Sequence, residues 1–203
     1  MKTEKQPIEK KQNQKLHHFS HRHPLELSHL HQEDNAVCSG CEHDILGRAY
    51  ICTKPECSFL LHDLCFDLPR HLRHRSHPNH SLVLHSPPPY TDREFTCNAC
   101  GESGNGFTYH CDTCKFDLHV ECASLPDFEI RRDHKHPLML LCGFTDISKG
   151  EGVGGDDDHD DYVCYVCDGT VGKGCWMYSC LACNCGAHLD CIAADSYTLS
   201  VPK

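Results

Sequence analysis

The amino-acid sequence predicts a small, zinc-stabilised, β-rich fold with short helices, made of tandem zinc-finger modules that have little conventional core. The first observation is composition: 18 of the 203 residues are cysteine and 19 are histidine, the side chains best suited to zinc. The second is a pattern, C-x4-H-x2-C, that occurs as CSFLLHDLC, CKFDLHVEC and CNCGAHLDC. The third is the low aromatic content, 8%. Metal ions would then supply stability that apolar burial supplies in larger domains.

Each copy of this pattern closes a longer repeat, H-x-L-x-L … C-x2-C … Y-x-C-x2-C-x4-H-x2-C. A C-x2-C pair directs two thiolates at one ion, and a closed zinc site takes four ligands in a tetrahedron. Each repeat provides seven candidate ligands, one short of two sites. The one departure in ligand spacing is four residues instead of two between Cys52 and Cys57. The candidate metal ligands are His23, Cys38, Cys41, Cys52, Cys57, His62, Cys65, His80, Cys97, Cys100, Cys111, Cys114, His119, Cys122, His136, Cys164, Cys167, Cys180, Cys183, His188 and Cys191.

The residues between the ligands predict the local structure of each repeat. The H-x-L-x-L lead alternates as a strand with one buried face does. The Tyr two residues before the third Cys is predicted to be a core residue, as are Phe59 and Phe116, two residues after the fourth. The third repeat has Cys185 at that Phe position, which we interpret as a small apolar filler. A Leu-Pro pair after the last Cys of the first two repeats should end any short helix there.

The repeats divide the chain into three modules joined by short linkers. Module 1 is predicted at 17–70, module 2 at 74–126 and module 3 at 131–194. The lysine-rich residues 1–16 are predicted to form a disordered basic arm, because they contain few apolar side chains. Module 3 has an insertion, predicted to be an acidic loop at 145–161, and residues 195–203 form a tail.

Charge and hydropathy exclude several classes of function. The formal net charge of -10 opposes nucleic-acid binding, because affinity for phosphate comes mainly from Lys and Arg. No apolar run is long enough for a transmembrane segment, and the N-terminus lacks the apolar stretch of a signal peptide. We therefore expect an intracellular protein, in the cytoplasm, the nucleus or both. In a reducing compartment 18 cysteines favour metal sites over the alternative of a disulfide framework.

The H-x-L-x-L lead and the Y-x-C-x2-C-x-F-x-L-H-x2-C tail resemble the plant divergent C1 domains, which are relatives of the diacylglycerol-binding zinc domain of protein kinase C. The resemblance covers roughly residues 17 to 192, in three copies. It implies two zinc ions per module in a crossed arrangement. The first C-x2-C pair would share one ion with the H-x2-C pair. The upstream His would share the other ion with the second Cys pair.

The parent C1 pattern closes with an eighth ligand, a cysteine, that none of the three repeats has. One alternative is a His after the last Cys: His74 in module 1 and His134 for module 2. The other pairs each upstream His with a neighbouring one, and we favour it because it treats the modules alike. Module 3 has the further options of Cys175 or a water. The paired candidates are His21, His77 and His134.

Closed, cysteine-rich zinc sites are structural rather than catalytic, and no nucleophile–base set or phosphate loop is visible, so we expect no enzyme. The predicted function is a signalling adaptor that binds a protein partner. One alternative is a receptor for lipid or a diacylglycerol-type second messenger, acting through Trp176 and the basic arm. A second is a PHD-like chromatin reader, in which Cys97 and Cys100 would complete the first repeat.

Overall fold

The computed structural model describes residues 15–143 and 162–193. The predicted acidic loop and tail lie outside these ranges, and so does the predicted basic arm except for residues 15 and 16. Leu16 already belongs to the first strand.

Three four-stranded antiparallel sheets follow one another along the chain. The first consists of β1 (Leu16–His18), β2 (His21–Leu30), β3 (Gly47–Cys52) and β4 (Leu60–His62), followed by α1 (Asp63–Phe66). The second contains β5 (His71–Leu72), β6 (Leu82–His85), β9 (Thr108–Cys111) and β10 (Phe116–His119), beside a two-stranded sheet of β7 (Phe95–Thr96) and β8 (Ser103–Gly104). The third contains β11 (Phe128–Glu129), β12 (Leu138–Leu141), β13 (Met177–Cys180) and β14 (Cys185–Ala187), followed by α2 (Leu189–Ala193). The β-rich fold with short helices is confirmed.

The alternation of leucines that the three repeats share sets the register of each sheet. The second leucine of H-x-L-x-L lies opposite the tyrosine of Y-x-C in all three sheets: Leu27 with Tyr50, Leu84 with Tyr109 and Leu140 with Tyr178. The first leucine is buried in every module, and the second is buried in modules 2 and 3, whereas Leu27 is 38% exposed. This register places the upstream histidines beside the second cysteine pair, although more than 25 residues of sequence separate them.

Consecutive modules stack through the same contact. The backbone N–H of Phe107 donates to the carbonyl oxygen of Gly40 at 2.6 Å, and that of Trp176 donates to Ala99 at 2.6 Å. Both acceptors occupy the third position of a C-x2-C pair, and both aromatic rings are nearly fully buried. A Cβ atom at Gly40 would lie 3.1 Å from the Phe107 ring, so a small residue is needed there.

A second repeated contact joins the Y-x-C tyrosines of modules 2 and 3 to the preceding module. The hydroxyl of Tyr109 donates to the carbonyl oxygen of Pro69 at 2.9 Å, and that of Tyr178 donates to Pro126 at 2.8 Å. The prolines belong to the Leu-Pro pairs that follow the last cysteine of modules 1 and 2. As predicted, α1 ends before the first of these pairs.

Polar contacts reinforce the stack. Glu42 accepts hydrogen bonds from the backbone N–H groups of Asn105 and Gly106, at 2.9 and 3.0 Å. Arg75 of module 2 forms an ion pair of 2.8 Å with Asp127, next to the first strand of module 3.

One continuous cluster of buried apolar side chains runs through all three modules. This shared core is larger than the composition predicts.

Truncation of the stacking ring should separate modules 1 and 2. We expect Phe107→Ala to lower the free energy of unfolding by about 3–5 kcal/mol, because it removes a fully buried aromatic ring and leaves a cavity. Phe128→Ala is the matched control, since that ring is 60% exposed, and it should cost less than about 1 kcal/mol. Urea unfolding followed by circular dichroism measures both values. Equal destabilisation by the two variants would contradict the stacking contact.

Within the described ranges, no helix is long and apolar enough to cross a membrane.

Candidate metal centres

Each module brings its cysteines and histidines together in two clusters. In what we call the CCHC cluster, the first C-x2-C pair meets the His and Cys of the H-x2-C pair. The loop carrying the C-x2-C pair supplies one half, and the end of the last strand with the residues just after it supplies the other. In modules 1 and 2 all four ligand atoms lie within 4.8 Å of one another. The CCHC clusters are Cys38, Cys41, His62 and Cys65; Cys97, Cys100, His119 and Cys122; and Cys164, Cys167, His188 and Cys191.

In the other, which we call the HHCC cluster, two upstream histidines meet the second cysteine pair. Its four ligand atoms also lie within 4.8 Å of one another in every module. The cysteines stand at the end of the third strand of each four-stranded sheet, counted along the chain, and just beyond it, while the histidines stand on or before the neighbouring strand. The HHCC clusters are His21, His23, Cys52 and Cys57; His77, His80, Cys111 and Cys114; and His134, His136, Cys180 and Cys183.

The distances within the clusters fit tetrahedral coordination. Ligand bonds of about 2.3 Å for sulfur and about 2.0–2.1 Å for nitrogen place adjacent S and N ligands about 3.6 Å apart. In the CCHC cluster of module 1, His62 Nδ1 lies 3.3 Å from Cys41 Sγ and 3.8 Å from Cys65 Sγ. In the HHCC cluster of module 3, His136 Nδ1 lies 3.1 and 3.6 Å from its two sulfurs. Each cluster can therefore accept one ion with little rearrangement.

Backbone N–H groups around the first C-x2-C pair favour the thiolate form that binds metal. Cys38 Sγ accepts from the N–H of Gly40 at 3.3 Å and of His62 at 3.5 Å. Hydrogen bonds from Cys41 and then Cys65 lower the pKa of the Cys38 thiol, and the same contacts with Cys38 raise the pKa of those two thiols. Cys97 in module 2 has the equivalent pair of backbone donors at 3.4 Å. Because thiolates rather than thiols ligate metals, this surrounding suits a cation.

The ligating imidazoles of two CCHC clusters are oriented by backbone carbonyls. His62 presents Nδ1 to its cluster and places Nε2 3.1 Å from the carbonyl oxygen of Asp44. His188 also presents Nδ1 to its cluster, and its Nε2 lies 2.9 Å from the carbonyl oxygen of Thr170. A carbonyl acceptor on the far nitrogen fixes the tautomer and ring orientation of a metal-ligating His.

The first histidine of two HHCC clusters carries the clearest indication that these clusters can bind a cation. The Nε2 atoms of His77 and His134 are buried and have no hydrogen-bond partner. Buried imidazole nitrogens are normally satisfied. Here both atoms belong to clusters in which three further ligand atoms lie close by, so a metal ion would satisfy them.

Aromatic rings hold these first histidines in place, which explains the Phe of the repeat. His21 stacks on Phe59 with ring centroids 4.2 Å apart, and His77 stacks on Phe116 at 4.7 Å. Module 3 lacks this Phe, and Tyr165 lies beside His134 instead, at 5.6 Å. Module 3 therefore reaches the same cluster with a different supporting ring.

Two predicted candidates for the eighth ligand, His74 and Cys175, lie outside the HHCC clusters. His74 has its Nδ1 2.7 Å from the hydroxyl oxygen of Ser76, and its ring stacks on Trp176 at 5.4 Å, so it supports the module stack. Cys175 packs against Gly101 of module 2, whose added Cβ would lie 3.0 Å from its sulfur. Of the predicted eighth ligands, the structure brings His21, His77 and His134 into the HHCC clusters.

The basis of both alternative functions is weakened. Trp176 is only 3% exposed and packs between modules 2 and 3, so its ring is not available for a membrane. Cys97 and Cys100 group with the His and Cys of their own module rather than completing module 1, as a PHD-like arrangement would require. All 18 cysteines lie in the described ranges, and none forms a disulfide.

One polar contact between modules was not apparent from the sequence. His43, which follows Cys41 by two residues, lies 3.4 Å from the carboxylate of Glu121 in module 2. Its interaction with that carboxylate raises the pKa of His43 to about 9, although burial opposes the rise. A His and a Glu separated by 78 residues carry no sequence signal of pairing, because the contact depends on the stacking of the modules.

Comparison with known proteins agrees with this arrangement. A family profile described as C1 domain matches residues 19–66 and 75–123, which contain all four clusters of modules 1 and 2. A protein named "Probable nucleoredoxin 1", from Arabidopsis thaliana, is 32% identical over 102 residues, which cover 50% of this chain and 14% of that relative. No solved structure matches the chain significantly. The chain thus contains tandem C1-like domains, each with two Cys/His clusters that can hold a metal ion.

Proposed function

We propose that this protein is an intracellular zinc scaffold with a third C1-like copy at module 3, of the plant divergent type, and that it serves as an adaptor for protein partners. The observation that carries the metal proposal is the pair of buried, unpartnered Nε2 atoms in the HHCC clusters. Tetrahedral sets of thiolate and imidazole favour zinc over harder cations such as magnesium and calcium. Two clusters in each module correspond to six ions per chain.

The role of this zinc is structural in our proposal, and the protein is not an enzyme. Each cluster offers four protein ligands, whereas catalytic zinc sites keep one position for water or substrate. When bound, the ions would tie each module's loops to its strands. The surfaces left between the stacked modules would then serve recognition, which agrees with the adaptor role predicted from the sequence.

Metal analysis of the purified protein tests the zinc proposal. We expect six zinc ions per chain by plasma mass spectrometry. Ellman's reagent should react quickly only with thiols outside the clusters, at most Cys142, Cys175 and Cys185. The remaining cysteines should react after a chelator is added. Fewer than three zinc ions per chain, or a mass that indicates disulfides, would refute the proposal.

A further inference from the structure

A cleft with a volume of about 330 Å³ lies where the three modules meet. Module 1 contributes Cys41, Glu42 and His43 to its wall. Module 2 contributes three members of its CCHC cluster, Cys100, His119 and Cys122, and residues beside them. Module 3 contributes side chains from α2 and its neighbouring strands. No single module could form this cleft, so it exists only in the stacked arrangement.

Part of the cleft is apolar. Leu125 and Pro126, from the link between modules 2 and 3, form one part of this surface. Tyr178, Leu189 and Ile192 of module 3 form the rest, and all three side chains are largely buried. An apolar surface of this kind suits an aliphatic chain, such as the methylene stem of Lys or Arg.

The charged groups of the cleft are almost all negative. Its lining includes five carboxylates and no Lys or Arg, and the one cationic side chain outside the metal clusters is His43. In the described part of the chain, none of Glu102, Glu129 and Asp190 forms an ion pair with a basic side chain. The carboxylates of the cleft are Glu42, Glu102, Glu121, Glu129 and Asp190. Carboxylates gathered in a concave surface attract a cation more strongly than separate surface charges do.

One of these carboxylates has only one charged partner among the described residues, through a long contact. Oε1 of Glu121 is buried and has no hydrogen-bond partner. Its nearest charged neighbour is His43, at 3.4 Å, whose Nδ1 also lies 2.7 Å from the carbonyl oxygen of Cys41. The ion pair with His43 offsets part of the cost of burying this oxygen, but no hydrogen bond of normal geometry completes it. A donor entering the cleft would reduce that cost.

We propose that this cleft binds a basic segment of a protein partner. The stem of one Lys or Arg lies on the apolar surface, and its charged head lies among the carboxylates. The inference rests on the proposed adaptor function and specifies the chemistry of its partner. Charge complementarity selects this occupant, because an anionic lipid headgroup or nucleic-acid phosphate would be repelled by the same carboxylates.

Binding of a basic peptide to the full-length zinc-loaded protein tests the inference. The probe is a fluorescein-labelled peptide that alternates Arg and Lys with Gly and Ser. A matched peptide has Gln in place of each basic residue. Fluorescence anisotropy should show saturable binding of the basic peptide only. Affinity should fall as salt is raised, because the Debye length shortens.

A pair of charge-matched triple variants separates the cleft from general electrostatics. We expect Glu102→Gln/Glu129→Gln/Asp190→Asn to weaken peptide binding about tenfold or more, since several carboxylates act together. The control triple variant, Glu33→Gln/Glu56→Gln/Glu94→Gln, makes the same change in net charge at exposed positions outside the cleft. It should weaken binding less than about twofold.

The outcomes distinguish this inference from the zinc proposal. A preparation that lacks zinc refutes the proposed function itself. A preparation with full zinc content that does not bind the basic peptide refutes only the cleft inference, as does equal weakening by the two triple variants. Deletion of residues 1–14 tests whether the chain's own lysines compete. If that deletion strengthens binding more than about tenfold, the occupant is this arm and the partner assignment is wrong.

Discussion

Removal of the metal is expected to abolish the cooperative unfolding of this protein. Each sheet has strands of only two to ten residues, and six Cys/His clusters stand where larger domains have apolar side chains. Structural zinc contributes about 10–16 kcal/mol per site in small zinc-finger peptides. That contribution exceeds the entire net stability of a typical domain, about 5–15 kcal/mol. Without metal, the neighbouring thiolates would also repel one another.

Differential scanning calorimetry with and without a strong chelator measures this effect. The zinc-loaded protein should show a cooperative transition, and the chelated protein should show none. Adding zinc back under reducing conditions should restore the transition, whereas magnesium should not, because it prefers oxygen ligands. A chelated, metal-free sample that kept its cooperative transition would show that apolar packing alone maintains the fold.

The second large effect is expected from Cys97→Ser, at the centre of the stack. Cys97 is buried, and its sulfur accepts hydrogen bonds from the N–H groups of Ala99 and His119. The substitution removes one thiolate of a CCHC cluster and should release that ion. Because Ala99 is also the acceptor for Trp176, the contact between modules 2 and 3 should weaken as well. We expect a loss of more than about 3 kcal/mol in the free energy of unfolding.

Zinc content and urea unfolding should be measured on the same preparations of this variant. Cys142→Ser is the matched control, because Cys142 is a half-buried thiol outside the six clusters. It should keep the full zinc content and lose less than about 1.5 kcal/mol. If Cys97→Ser kept its full zinc content, or if the two variants lost equal stability, the assignment of Cys97 as a ligand would be wrong.

Much of the local structure was predictable from the sequence, because it depends on short-range spacing. The H-x-L-x-L strands and the helical turn before Leu68-Pro69 appear. Tyr109 and Tyr178 are buried as predicted, whereas Tyr50 is only partly buried. Knuckle pairs such as Cys38 and Cys41 are also local, since a tight turn places both sulfurs on one side. The crossed grouping of these pairs came from family resemblance rather than from spacing. The structure brings the same residues together.

The eighth ligand position shows where the sequence became ambiguous. His21, 31 residues before Cys52, and His74, 17 residues after Cys57, are the same residue type on either side of the second cysteine pair of module 1. Only the tertiary structure separates them: His21 lies 3.3 Å from Cys52 Sγ, whereas His74 stacks on a ring in module 3. Strand pairing between β2 and β3 makes the difference, because it places the start of β2 beside the end of β3.

By itself, the sequence determined the cysteines, histidines and strands that recur in each small module, since ligand spacing and alternation act over a few residues at a time. Only the tertiary structure decided that the modules share a core. That arrangement depends on a small residue at Gly40 or Ala99 meeting an aromatic ring in the following module. In the sequence, neither the small residue nor the aromatic residue by itself indicates a contact between modules. The two residues stabilise the protein only when the fold places them in van der Waals contact, and that placement also creates the acidic cleft.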